Sequence, residues 1–209
     1  MNRFKIEKNS YLKKETIAYY HTDYTGYNSP GNPDYINVLK NTFNNEASEN
    51  LRHAFNDLTE VLIEDLIQIL QIMKLKTLAV CVVPRAKAEE NYSKNQLFFK
   101  ACVKNVAKTT YSCIDGTDYI VRKTDTKTTH LCRAKMPSDF NNDGPMPYPG
   151  ITKETCIFSN DIYNKDILLI DDIYTKTVNI DEDAVQALLD KGAKSVTFYA
   201  VAKTQFKSY

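Results

Sequence analysis

The sequence lacks four features that would place it in a common class of protein. Its 209 residues carry a formal net charge of only +1, which argues against a large electrostatic surface for nucleic acid or acidic membranes. Its most apolar long segment, residues 61–73, is interrupted by polar residues and does not read as a membrane span. It contains no Gly-x-Gly-x-x-Gly motif for a dinucleotide and no Gly-x-Ser-x-Gly motif for a serine hydrolase.

Cysteine usage and the first residues bear on the compartment. The five cysteines are odd in number and form no Cys-x-x-Cys pair, which favours reduced thiols over disulfides or a zinc site. Residues 1–5, Met-Asn-Arg-Phe-Lys, contain no apolar signal-peptide core. We therefore expect a cytoplasmic protein.

Hydrophobic patterning predicts strands that alternate with helices. Apolar residues recur every three or four positions over residues 46–73, which predicts a long helix that Asn44 or Asn45 caps. Further helices are expected over residues 91–108 and 181–191. Short apolar runs predict strands over residues 16–20, 77–83, 119–121, 155–158, 167–170 and 195–201.

This alternation predicts a single α/β domain whose twisted sheet is mostly parallel and flanked by helices. Residues 77–209 would form the α/β core, behind the long helix. Residues 1–45, which are rich in tyrosine, would form a helical or irregular N-terminal elaboration.

The strongest candidate for a site follows the apolar run 167–170. Asp171 and Asp172 come directly after it, and a turn rich in hydroxyl and amide groups then leads into a helix. Ligands of open α/β sheets bind at the carboxyl ends of strands, and anions favour the N-terminus of a following helix. Paired carboxylates can accept hydrogen bonds from ribose hydroxyls or orient water on Mg²⁺. The pattern thus suits a sugar phosphate bound with a divalent cation.

The segment Leu-Leu-Ile-Asp-Asp-Ile-Tyr-Thr, residues 168–175, resembles the phosphoribosylpyrophosphate (PRPP) signature of type I phosphoribosyltransferases. The resemblance implies the fold of that family and pentosyl transfer, a glycosyltransferase reaction of nucleotide metabolism. It implies that Asp171 and Asp172 address the ribose hydroxyls and Mg²⁺, the latter through water. The implied PRPP-binding stretch is completed by Ile173, Tyr174, Thr175, Lys176, Thr177, Val178 and Asn179, of which the last five would take the 5′-phosphate.

The resemblance extends to a second loop. Residues 84–87, Pro84, Arg85, Ala86 and Lys87, stand where the family places its pyrophosphate loop, so Arg85 and Lys87 would offset charge on the leaving group. Residues 121–124 and the proline-rich segment 136–150 match the region that closes over the substrate. The implied partners are PRPP and a small nitrogenous acceptor, and a homodimer is one option for assembly.

The sequence also departs from the family. Thr177 stands where the family has a glycine, and a β-branched residue is a poor substitute at positive φ. Asp181, Glu182 and Asp183 follow at once, which suits a phosphate only if they face away or merely complement the helix dipole. Thr175 replaces the aspartate of 6-oxopurine enzymes, so the pattern is closer to the orotate, amido and competence-protein-F-like branches. Two hypotheses follow: a phosphoribosyltransferase, or a regulatory protein of the same fold that binds PRPP or a nucleotide.

Overall fold

A computed structural model describes residues 1–26, 29–131 and 142–205. Within these residues the chain forms eight strands and four α-helices. The helices are α1 (Asp34–Lys40), α2 (Ser48–Met73), α3 (Phe98–Thr109) and α4 (Ile180–Asp190). The strands are β1 (Asn2–Ile6), β2 (Thr16–Tyr24), β3 (Leu78–Val82), β4 (Cys113–Asp115), β5 (Ile120–Arg122), β6 (Cys156–Phe158), β7 (Asp166–Tyr174) and β8 (Ser195–Thr204).

Six strands form one sheet in the order β1-β2-β8-β7-β3-β4. Every neighbouring pair is parallel except β1 and β2, which are antiparallel. Hydrophobic cores lie on both faces of this sheet, one under α4 and one under α2 and α3. The predicted α/β class with a mostly parallel sheet flanked by helices is therefore confirmed.

The apolar run of β7 lies at the centre of the sheet. Ile167, Leu168, Leu169 and Ile170 are all fully buried between β3 and β8, as a strand covered on both faces requires. Val82 of β3 pairs with Ile170, so the two parallel strands end at the same edge of the sheet. Residues 83–87, which follow β3, are thereby brought beside residues 171–179, which form the end of β7 and the turn after it.

The N-terminal segment differs from the predicted elaboration. Residues 2–24 supply two strands to the main sheet, and β2 pairs in parallel with β8, with Ala18 opposite Phe198. This pairing joins residues about 180 positions apart in the chain. The α/β core thus includes residues that we placed outside it, because local sequence carries no sign of so distant a partner.

The long helix is confirmed, but its predicted cap is wrong. Helix α2 begins after Ala47, which makes no side-chain capping bond. Asn44, one of the two predicted caps, instead accepts a hydrogen bond from the hydroxyl of Ser93. The helix predicted over residues 91–108 also starts later, at Phe98, after two short 3₁₀ segments.

The strand predicted over residues 119–121 forms outside the main sheet. Strand β5 pairs antiparallel with β6, with Val121 opposite Ile157, in a separate two-stranded sheet. Among the described residues, no helix is long and apolar enough to cross a membrane.

Candidate functional site

A cleft of about 470 Å³ opens at the carboxyl ends of β3 and β7. It is bordered by the acidic pair of β7 on one side and by residues 83–87 after β3 on the other. Residues of α1, of the segment before α3, of α3 itself and of the stretch 117–129 also line it. The predicted site residues that line it are Pro84, Arg85, Ala86, Lys87, Asp171, Asp172, Ile173, Thr175 and Val178.

Both residues of the acidic pair line this cleft, although the strand continues past them to Tyr174. Each one accepts a hydrogen bond from the next backbone N–H, Asp171 at 2.8 Å and Asp172 at 2.6 Å. Burial, with the neighbouring charge of Asp172, raises the pKa of Asp171 to about 7. The ammonium group of Lys40, at the end of α1, lies 3.3 Å from Oδ2 of Asp172.

The three acids at the start of α4 do more than complement the helix dipole. Burial and the nearby Asp171 raise the pKa of Asp181, so these two carboxyl groups disfavour a double negative charge. Glu182 accepts a hydrogen bond from the Tyr174 hydroxyl at 3.0 Å. Asp183 accepts from the backbone N–H groups of residues 150 and 151 at 2.6 and 2.9 Å. All three side chains point into the protein and away from solvent.

The predicted phosphate loop, residues 175–179, forms a turn between β7 and α4. The N–H of Val178 donates to the carbonyl of Thr175 at 2.9 Å, and the Thr175 and Thr204 hydroxyls are 2.7 Å apart. Thr177 does not adopt positive φ; Asn179 does, with φ 63° and ψ 2°. The loop therefore folds without a glycine, because its left-handed residue is an asparagine, which tolerates that conformation better than a β-branched residue does.

Part of the predicted PRPP-binding stretch does not reach the cleft. Tyr174 is 3% exposed and packs its ring against Phe4 and Phe198, so its side chain belongs to the core. Lys176 lies on the outer side of the loop, where it pairs with Glu7 at 3.1 Å. Thr177 and Asn179 also lie outside the cleft lining.

The two cations predicted to face pyrophosphate line the cleft and bind protein carbonyls. Arg85 donates to the backbone oxygens of Lys40, at 2.8 Å, and Gln96, and its guanidinium lies 4.4 Å from the ring centre of Tyr92. Lys87 is nearly buried and donates to the backbone oxygen of Asp143 at 2.8 Å. Burial lowers the pKa of the Lys87 ammonium.

The contacts of Lys40 and Arg122 near the cleft were not predicted, although Arg122 lies within the predicted closing segment 121–124. Lys40 lies in the predicted helical or irregular N-terminal elaboration, and no local pattern indicates its place beside Asp172. Arg122 is buried and donates to the carbonyls of Arg85, at 3.0 Å, and Gly150, at 2.6 Å. Because Gly150 also donates to Asp183, Arg122 links the loop after β3 to the start of α4. Of the proline-rich segment 136–150, residues 136–141 lie outside the described residues.

Beside the acidic pair, one carboxylate oxygen, Asp181 Oδ1, is buried without a hydrogen-bond partner. Carboxylate oxygens are the ligands that Mg²⁺ prefers. In the part of the chain that the structure describes, no three or more histidine, cysteine, aspartate or glutamate side chains are grouped to hold a metal directly.

In comparisons with known proteins, no family model matches this chain, and no curated protein matches it either.

Proposed function

We propose that the protein is a phosphoribosyltransferase of the type I fold, which binds PRPP with Mg²⁺ and transfers the phosphoribosyl group to a nitrogenous acceptor. One observation carries the proposal. The acidic pair near the end of β7, the loop that follows β7 and the loop that follows β3 border a single cleft, and β3 and β7 are neighbouring parallel strands. These are the segments that the resemblance assigns to ribose, 5′-phosphate and pyrophosphate.

The 5′-phosphate would bind at the turn of residues 175–179. The first turn of a helix leaves backbone N–H groups without partners in the helix, and with the positive end of the dipole of α4, an 11-residue helix, this favours an anion there. The acids of α4 oppose this less than three full charges would, because burial raises the pKa of Asp181, Glu182 and Asp183 and so favours their neutral forms. Thr175 adds a hydroxyl at the cleft surface.

The ribose hydroxyls would donate to the carboxylates of Asp171 and Asp172. Mg²⁺, when bound with PRPP through water, would supply positive charge beside the pyrophosphate. The described lining carries four basic side chains, Lys40, Arg85, Lys87 and Lys100, and four acidic ones, Glu89, Asp125, Asp171 and Asp172. Because the lining carries equal numbers of formally positive and negative side chains, we expect PRPP binding to depend on the cation.

In the reaction, the acceptor nitrogen attacks C1 of the ribose and inverts it. The bond from C1 to the pyrophosphate oxygen breaks, its electron pair leaves with pyrophosphate, and the acceptor nitrogen loses a proton. Catalysis would come from positioning and from stabilising charge at an oxocarbenium-like centre. Arg85 and Lys87 would have to leave their carbonyl partners to reach the leaving group.

That requirement favours a second candidate, a regulatory protein of the same fold that binds PRPP or a nucleotide without turnover. With both cations engaged on backbone oxygens, the cleft can hold a ligand while lacking charge stabilisation of the leaving group. The same acidic pair would serve this function.

Pyrophosphate release from PRPP and Mg²⁺ with a panel of nitrogenous bases and amines tests the proposal. We expect release with at least one acceptor, abolished in the Asp171→Asn/Asp172→Asn double variant. Glu60→Gln, an exposed change on α2 outside the cleft, is the matched control and should retain full activity. Release that persists in the double variant would contradict the proposal, and PRPP binding without release across the panel would favour the regulatory protein.

A further inference from the structure

The turn of residues 175–179 depends on one strained residue. Asn179 has φ 63°, the left-handed region that side chains other than glycine adopt at a cost. Its carbonyl accepts from the N–H of Asp183 at 3.1 Å, in the first turn of α4. The conformation of Asn179 therefore sets how the turn joins the helix, and with it the direction of the backbone N–H groups near the cleft.

A side chain from the other end of the chain holds Asn179. Asn9, in the connection between β1 and β2, donates from Nδ2 to Oδ1 of Asn179 at 3.1 Å. Asn179 in turn reaches back to the carbonyl of Thr177 at 3.4 Å. The side chain of the left-handed residue is thus fixed on both sides.

Asn9 is itself held in place. Its Oδ1 accepts from the backbone N–H groups of Tyr11 and Leu12 at 2.8 and 3.0 Å, and its own N–H donates to the Leu12 carbonyl. Leu12 is fully buried, and Lys13 donates to Gln186 and Asp190 of α4. The β1–β2 connection is therefore anchored to the helix whose first residue follows Asn179, so that Asn9 presents a fixed donor.

We infer that Asn9 is a positioning residue for the phosphate-binding turn: its hydrogen bond to Asn179 holds the left-handed conformation that a glycine would adopt unaided. The inference rests on the proposed function, since the ligand concerned is the 5′-phosphate end of PRPP. It also gives the N-terminal hairpin, 170 residues away in sequence, a direct part in the site.

A double-mutant cycle separates this role from general support of the fold. Asn9→Ser keeps a short acceptor for the Tyr11 N–H but cannot reach Asn179, and Asn179→Gly removes the need for a partner. Affinity for ribose 5-phosphate and for PRPP with Mg²⁺ is measured by calorimetry. We expect Asn9→Ser to weaken binding about fivefold in the wild-type background, as the loss of one hydrogen bond does, and by less than about twofold in the Asn179→Gly background.

Asn2→Ser is the matched control, because Asn2 lies in the same hairpin and donates to the carbonyl of His21, away from the turn. It should leave the affinity unchanged. Equal weakening by Asn9→Ser in both backgrounds, or no weakening in either, overturns the inference while leaving the proposed function standing. A wild-type protein that binds neither ligand overturns the proposed function, and the inference with it. Thermal unfolding of the same variants then still tells whether Asn9 and Asn179 are coupled in the folded protein.

Discussion

The ammonium group of Lys40 lies 3.3 Å from the carboxylate of Asp172, which joins the last residue of α1 to the acidic pair of β7. Both side chains are largely shielded from solvent, so the contact is screened less than a surface ion pair. The relationship places the N-terminal part of the chain in the site. Lys40 also lines the cleft, and its partner Asp172 is one of the two acids proposed to bind the ribose hydroxyls.

Replacement of Lys40 by methionine should weaken the binding of PRPP with Mg²⁺. The cleft then loses a cation while the charge of Asp172 is no longer offset, and we expect a loss of about tenfold, or about 1.4 kcal/mol. Calorimetry with the exposed change Lys76→Met as control measures it. Unchanged affinity in Lys40→Met would contradict a role for Lys40 in the site.

Arg122 should contribute to the stability of the folded protein, because it donates hydrogen bonds to carbonyl groups in two loops. In Arg122→Met the oxygens of Arg85 and Gly150 lose a donor within the protein, and we expect the free energy of unfolding to fall by about 2–4 kcal/mol. Arg122→Lys keeps the positive charge but lacks the planar guanidinium group, so its free energy of unfolding should lie between those of the wild type and Arg122→Met. Urea denaturation, with the exposed Arg52→Met as control, provides the measurement. A fully stable Arg122→Met would mean that burying the guanidinium costs as much as its bonds contribute.

On the face of the sheet that α2 and α3 cover, the buried carboxylate of Asp65 has two side-chain partners, Tyr199 and His21, whose Nδ1 lies 3.1 Å from Oδ2. Tyr199 donates to Oδ2 of Asp65 at 2.7 Å, and Oδ1 of Asp65 is buried without a partner. Tyr199→Phe should lower the free energy of unfolding by about 1–3 kcal/mol, since the carboxylate loses a donor that water cannot easily replace. Tyr111→Phe, at a side chain that is 92% exposed, is the matched control and should have no effect. Equal stability of both variants would contradict the assigned bond.

Glu182 should give the protein a pH-dependent stability. Burial raises its pKa, so the folded protein keeps this proton to a higher pH than the unfolded chain does. Its contribution to stability is therefore complete below the ordinary glutamate pKa of about 4.3 and is lost as the pH rises through the raised value. Glu182→Gln removes this loss. The difference between the thermal unfolding midpoint of the variant and that of the wild type should therefore shift in favour of the variant as the pH rises from 4 to 8. Glu60→Gln should track the wild type throughout, and a constant difference for Glu182→Gln would contradict the raised pKa.

The features that local sequence encodes were predicted well. The run Ile167 to Ile170 is a buried strand, and the apolar period of residues 46–73 is a long helix, because each pattern is set by burial on neighbouring elements. Asp65 lies on the inner face of that helix, yet sequence could not supply its partner on β8. Helical spacing places a residue on a face, whereas its hydrogen bonds come from elsewhere in the chain.

The parts of the site that sequence missed are all long-range contacts. Lys40 reaches β7 from a segment without strong periodicity, and Arg122 meets Gly150, 28 positions away in sequence. For the loop of residues 175–179, the sequence places the residue with positive φ at position 177, where Thr177 replaces the glycine of the family. The left-handed residue lies instead at Asn179, where Asn9 supports it. The support of Asn179 by Asn9 cannot be predicted from local sequence, because the two residues are 170 positions apart.

Titration calorimetry with PRPP and Mg²⁺ tests the central claim most directly. The wild-type protein should bind PRPP saturably in the presence of Mg²⁺ and more weakly without it. The Asp171→Asn/Asp172→Asn variant should lose binding while remaining folded, and Glu60→Gln should bind as the wild type does. Absence of binding at millimolar PRPP, or binding that the double variant retains in full, would contradict a PRPP site at the end of β7.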